Sequence, residues 1–258
     1  MPQDNRHFVR QRQSLNRLLS IIEVNFAIII KPQLTTNMED LMTHIDGLIE
    51  KLKRNQLMVA IRTETPQDAY NAAAACIEGG IRFIEITFSV PEAENVIRQL
   101  SKDARASIGA GTVLSIEDAK KAIKAGASYI VSPNFNEKVV KFIKKEGLLS
   151  IPGACTPTEI CMAHDAGGDI IKLFPFVEIG GLNFLKAIRG PLPLIRYMLC
   201  GGANLANLDQ YLAADAAAIL IGAAIIRRDL VAAKDWKSIA GLAGDFVKRV
   251  EDHAQTQA

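Results

Sequence analysis

From Leu57 onward, short apolar runs alternate with longer stretches whose apolar residues recur at helical spacing, in a unit that returns about every 20–26 residues. The runs predict strands at Leu57–Arg62, Ile81–Thr87, Ala106–Thr112, Ser128–Ser132, Leu148–Pro152, Asp169–Phe174, Ile195–Cys200 and Ala216–Ile221. Between them the spacing predicts helices over Gln67–Ile77, Glu92–Leu100, Ile116–Ala125, Glu137–Glu146, Pro157–Ala166, Leu182–Ile188 and Leu205–Ala213, with a last one over Trp236–His253. Gly79-Gly80, Gly126, Gly147 and Gly167-Gly168 stand where left-handed helix ends are needed. Thr65-Pro66, Ser115, Asn136 and Thr156-Pro157 supply caps or first-turn prolines. Strands alternating with helices, with no gap for a second core, predict an α/β fold, a (β/α)₈ TIM barrel. An open doubly wound sheet is the runner-up. It needs a glycine-rich loop after the first strand, where the chain has Arg62-Thr63-Glu64-Thr65.

The start of the chain is different. Residues 1–37 are rich in arginine, with an isolated apolar patch at Phe26–Ile30. They are expected to be an extension outside the barrel, disordered or read from an upstream start with Met38 the true beginning; an organellar transit segment is the alternative. A helix capped by Thr36 or Asn37 is expected to run to about Lys53, with Leu41, Ile45, Ile49 and Leu52 on one face. Residues 38–258 are then one barrel domain.

Composition narrows the partners. The 258 residues are 49% hydrophobic and 22% charged with net charge +2, which gives ample core and no basic footprint for nucleic acid or a membrane surface. The apolar patch at Phe26–Ile30 is too short for a membrane span. Cys76, Cys155, Cys161 and Cys200 form no CxxC pair and read as reduced thiols of a cytosolic protein. Cys161 and His164 lie one helical turn apart with Cys155 nearby, but zinc would need a fourth ligand and a closed cage, so no metal is expected.

A barrel builds its site at the C-terminal ends of its strands. Those ends read Arg62, Glu85, Thr112, Ser132-Pro133, Pro152-Gly153, Lys172, Cys200-Gly201-Gly202 and Gly222-Ala223. In period-2 alternation Lys172 shares a face with Ile170 and Phe174, Glu85 with Phe83 and Thr87, and Arg62 with Ala60. An acid, an arginine and a lysine thus converge inside an apolar barrel. Such charges are tolerated there when paired or functional. Structural ion pairing is the bland alternative for each, and a snorkelling lysine for Lys172. The functional reading is Schiff-base chemistry. A desolvated lysine has access to its neutral amine, a nucleophile toward the ketone of a 2-oxo acid. Glu85 is placed to shuttle protons, and Arg62 to take a carboxylate bidentately with help from Thr112. Thr112 bonded to its own backbone is the plain alternative. Phe174 would wall the imine from water. Gly201-Gly202-Ala203 before a helix, with Gly222-Ala223, suggests a phosphate cradle of backbone N–H groups.

The runs Glu85-Ile86-Thr87-Phe88, Gly109-Ala110-Gly111-Thr112, Ser132-Pro133, Pro152-Gly153, Lys172-Leu173-Phe174-Pro175 and Gly201-Gly202 resemble, in order and spacing, the 2-keto-3-deoxy-6-phosphogluconate (KDPG) / 4-hydroxy-2-oxoglutarate (KHG) aldolase family. The resemblance covers about Leu41 to the C-terminus. It implies a class I aldolase on a (β/α)₈ barrel, without metal or cofactor, cytoplasmic and homotrimeric, taking a 2-keto acid to pyruvate and an aldehyde. It further implies that Lys172 is the Schiff-base lysine, Glu85 the general acid/base, and Thr112 and Pro133 parts of the pyruvate pocket. Two departures stand out. The carboxylate-binding arginine that some relatives carry shortly after the glutamate is Ser89 here, which leaves Arg62 to do that work. Hydroxyl residues typical just before the double glycine and after Gly222 are Cys200 and Ala224. Two other functions remain: an isomerase or synthase on a phosphate-binding barrel, in which Lys172 only neutralises charge, and a non-catalytic ligand-binding barrel.

Overall fold

The computed structural model describes residues 43–257. The expectations for residues 1–37, Met38 and the Thr36 or Asn37 cap lie outside them. The chain divides into two units, Met1–Asp46 and Gly47–Ala258. Of the first, residues 43–46 are described, and they are helical.

The second unit opens with helical residues 47–55 (α1), in which Ile49 and Leu52 are buried. The remaining order is β1 Leu57–Ile61, α2 Pro66–Glu78, β2 Phe83–Thr87, α3 Ala93–Leu100, β3 Ser107–Gly111, α4 Ile116–Lys124, β4 Tyr129–Val131, α5 Glu137–Lys145, β5 Leu149–Ile151, β6 Gly153–Ala154, α6 Pro157–Asp165, β7 Ile171–Leu173, α7 Gly181–Arg189, β8 Tyr197–Cys200, α8 Leu208–Leu212, β9 Ala218–Ile221, α9 Arg228–Ala232 and α10 Trp236–Gln257. Among the described residues the strands form one parallel sheet in the order β5-β4-β3-β2-β1-β9-β8-β7-β6. Its two edges, β5 and β6, are consecutive in sequence with only Pro152 between them. The predicted strand Leu148–Pro152 is therefore broken and extended, because proline has no N–H to give a ladder. Its carbonyl still accepts from Lys172 N–H at 2.9 Å, and that bond closes the barrel.

Alternation sorts the side chains into two layers. Val59, Ile61, Ile84, Ile86, Leu173 and Leu199 join the core shared with the helices, each burial stabilising by about 1.5–3 kcal/mol. Met58, Phe83, Tyr129, Leu149, Met198 and Leu220 are buried outside that cluster, on the opposite strand faces, and fill the barrel. The expected caps are present: Thr65 and Ser115 accept from the N–H groups of Asp68 and Asp118, and Thr156 forms a reciprocal capping box with Glu159. Gly80 and Gly167 take φ of 98° and 101° at helix ends, where a side chain would be strained.

Besides the broken strand, two helices differ from expectation. The helix after Asn204 starts only at Leu208, because Asn204 and Asn207 bond the local backbone instead: Asn207 Oδ1 accepts from Asn204 N–H at 2.8 Å, and its amide donates to Gly202 O at 2.9 Å. The short α9 was not among the helices read from spacing.

Candidate functional site at the strand ends

Register brings the expected residues to one end of the barrel. Ala60 pairs with Glu85, Gly153 with Lys172, and Lys172 with Met198, two residues before Cys200. Glu85 is 1% exposed and Lys172 5%, so both side chains end inside the protein rather than snorkelling to water. Arg62, just past β1, is exposed and donates from Nη2 to Thr112 Oγ1 at 3.4 Å. Thr112 has φ of 57°, an unusual backbone for a β-branched residue, and it turns the chain from β3 toward Arg62.

Three glycines clear the space. A Cβ at Gly111 would lie 1.8 Å from Glu85 Oε1, one at Gly109 would lie 2.2 Å from the Tyr129 ring, and one at Gly153 would lie 2.3 Å from the carbonyl oxygen of Pro133. The Gly-Ala-Gly run of β3 is thus a trough in which the Glu85 carboxyl lies. Gly153 lets β6 close onto the loop that carries Pro133, and Lys172 sits beside it in register. Phe174, on the same face as Lys172, places its ring centroid 5.0 Å from Nζ and stays 38% exposed, as a cover at the mouth.

The electrostatics follow from burial. Desolvation pushes the Glu85 carboxyl above its ordinary value of 4.5, against the opposing pull of the Lys172 and Arg62 charges. Glu85 Oε2 has no hydrogen-bond partner on the protein, so one oxygen is free to exchange a proton. The Cys200 thiol is pushed up to about 11, mainly by burial, with a hydrogen bond from the Lys172 side chain among the opposing influences. Cys200 therefore faces the amine and stays a neutral thiol. Sequence reasoning had placed it with the phosphate cradle.

The cradle residues are partly together. Gly201 and Gly202 have φ of 117° and 80°. A Cβ at Gly202 would collide with Val177 at 2.2 Å, while Gly201 and Gly222 have nothing within 4 Å of that position. Ala223 is exposed at the adjoining turn. The five-residue α8 begins six residues after Gly202, so little helix dipole reaches the double glycine. Arg227 turns to Asp229, donating to it at 3.1 Å, rather than toward the glycines. Tyr129 was missed by sequence reasoning; an aromatic in an apolar strand reads as packing, and only register puts it beside Glu85.

Comparison with known proteins gives the family. A family model described as KDPG and KHG aldolase matches residues 48–242. The 2-dehydro-3-deoxy-phosphogluconate aldolase of Treponema pallidum is 34% identical over 196 residues, covering 76% of this chain and 93% of that protein. The KHG/KDPG aldolase of Escherichia coli is 32% identical, over 70% of this chain and 86% of its own. A crystal structure of KDPG aldolase from Legionella pneumophila, with pyruvate captured as a covalent carbinolamine, superposes with a TM-score of 0.70 at 27% identity, covering 75% of this chain and 94% of that one. With a family match over most of its length and a barrel that buries one lysine beside one glutamate, the chain belongs to the KDPG and KHG aldolase family.

Proposed function

We propose that this protein cleaves a 2-keto-3-deoxy sugar acid reversibly by way of a Schiff base on Lys172, giving pyruvate and an aldehyde. The observation that carries the reading is a buried amine and a buried, proton-retaining carboxyl at the open end of one barrel. In the cleavage direction the neutral Nζ adds to C2 of the substrate, and the carbinolamine loses water to an iminium as the Glu85 carboxyl gives its proton to the leaving hydroxyl and becomes a carboxylate. The C3–C4 bond then breaks, its electron pair passing into the iminium to give an enamine, while the C4 hydroxyl proton goes to the Glu85 carboxylate. Glu85 returns that proton to C3, and water releases pyruvate and the free lysine. Arg62 and Thr112 hold the substrate carboxylate, Pro133 and Gly153 shape the pyruvate pocket, and Phe174 shields the imine. Backbone groups of Gly201, Gly202, Gly222 and Ala223 receive the far end of the substrate. The names of the relatives suggest 2-dehydro-3-deoxy-6-phosphogluconate, giving glyceraldehyde 3-phosphate, and 4-hydroxy-2-oxoglutarate, giving glyoxylate. A homotrimer in the cytoplasm, with residues 38–258 as its barrel domain, completes the proposal.

The test is to incubate with pyruvate, add borohydride and look for an irreversible mass adduct on Lys172. Lys172→Met should form no adduct and cleave no substrate while melting close to wild type, since losing a buried charge need not harm packing. An unmodified wild type at saturating pyruvate, or turnover by Lys172→Met, would end the covalent reading.

A further inference from the structure

Among the described residues, two buried polar atoms on the inner strand faces of the barrel lack a hydrogen-bond partner on the protein: Glu85 Oε2 and the Tyr129 hydroxyl. They belong to one row. Glu85 of β2 pairs with Gly109 of β3, and one residue on, Ala110 pairs with Ile130 of β4. Gly109 therefore stands between Glu85 and Tyr129 on three consecutive strands, all on the inner face. Because Gly109 has no side chain, the Tyr129 ring lies across it: a Cβ there would sit 2.4 Å from Cζ, the carbon that bears the hydroxyl. The ring spans β3 and carries its hydroxyl toward β2, where Glu85 stands. Phe83 packs against the same ring with centroids 5.9 Å apart, so the apolar part of Tyr129 is already held. Packing needs no hydroxyl here; phenylalanine would fill the same volume. A buried hydroxyl without a partner is costly, which asks for a role.

We propose that Tyr129 is a positioning residue for Glu85, holding its Oε2 through one bridging water. The inference rests on Glu85 being the acid/base of the lysine chemistry. Burial, helped by the nearby Glu85 charge, keeps the phenol far from ionising, so it is always a donor. The other groups around Glu85 are Arg62 just past β1, which donates to Thr112, Lys172 from β7 and Cys200 from β8. Of these, Lys172 gives up its charge whenever it turns into the attacking amine, and Glu85 then loses one of two cations that favour its carboxylate. The Tyr129 dipole is constant through that change and steadies the base when the lysine does not.

The experiment is the pH dependence of imine formation with pyruvate, followed by borohydride trapping and mass, in wild type and Tyr129→Phe. Without the donor, Glu85 should hold its proton to higher pH. The acid limb of Tyr129→Phe is expected to move up by about one unit, a tenfold slower rate at a fixed pH below the limb, with no loss of melting temperature. In a Glu85→Gln background, adding Tyr129→Phe should leave the pH profile unchanged. Coincident limbs in wild type and Tyr129→Phe, or the same shift without Glu85, would overturn the inference while leaving the Lys172 adduct intact. A wild type that forms no adduct would instead remove the aldolase reading and this inference with it.

Discussion

At the scale of single residues, the site is a problem of fitting two ionisable groups into a space made for aliphatic ones. Lys172 and Glu85 were legible because each is the one charge in the body of its apolar run, Asp169 and Arg82 standing at the runs' starts, and alternation gives its face. What was not legible is the room they need, which comes from absent side chains on the neighbouring strand. Gly111→Ala should therefore be costly: its methyl would drive into the Glu85 carboxyl. Overpacking of this kind costs about 1–3 kcal/mol, and the displaced carboxyl should slow adduct formation with pyruvate, both readable from a melt and a trapping time course. Glu85 also leaves a mark on stability. Its folded value is raised above the ordinary 4.5, so between the two values the folded state binds more protons than the unfolded. Stability from this group is complete below about 4.5 and is lost as pH rises through the raised value. Glu85→Gln should accordingly gain melting temperature over wild type at neutral pH and little at pH 4, while losing about 10²–10⁴ in turnover. A gain of equal size at both pH values would contradict the raised carboxyl.

At the scale of elements, the periodic pattern located every strand of the sheet except the two-residue β6, because a strand buried on both faces must be an apolar run bounded by turns. The errors fall where local polar bonding competes with periodicity. Pro152 splits one strand, and the Asn204–Asn207 turn shortens the following helix to Leu208–Leu212. The second error bears on substrate choice. With little helix dipole and with Arg227 occupied by Asp229, a phosphate would rest on backbone N–H groups alone, and Ala224 offers no hydroxyl. We expect activity on phosphorylated and unphosphorylated 2-keto acids alike, with a modest preference for the former. The structure also separates two substitutions that the sequence placed together. Ala224→Ser should raise kcat/KM for the phosphorylated substrate only, by about tenfold for each 1.4 kcal/mol of hydrogen bonding recovered. Cys200→Thr, beside the Lys172 amine, should change both substrates by the same factor. Paired kinetics on the two substrates decide it, and a selective effect of Cys200→Thr would move that side chain back to the cradle.

At the scale of the whole molecule, the fold class was legible because eight repeats of strand and helix leave no sequence for another core, and closure through Pro152 completes the ring. Among the described residues no helix is long and apolar enough to cross a membrane, and no cluster of three acidic, histidine or cysteine side chains suits a metal ion. The long C-terminal helix Trp236–Gln257 runs past the end of the family match at residue 242, yet Phe246 and Val250 are buried in the main core, so this tail is part of the barrel's packing. The start of the chain lacks any such warrant. The family match begins at residue 48, and the side chains proposed for the site begin at Arg62. Deleting residues 1–37 should therefore leave melting temperature and the rate of adduct formation with pyruvate as they are. Truncating after Phe246 should lower the melting temperature, because it removes Val250, whose burial is worth about 1.5–3 kcal/mol. Melting both truncated chains beside the full one checks the contrast. A fall of many degrees on removing residues 1–37 would show that the apolar patch Phe26–Ile30 packs against the barrel, and would extend the domain to include it.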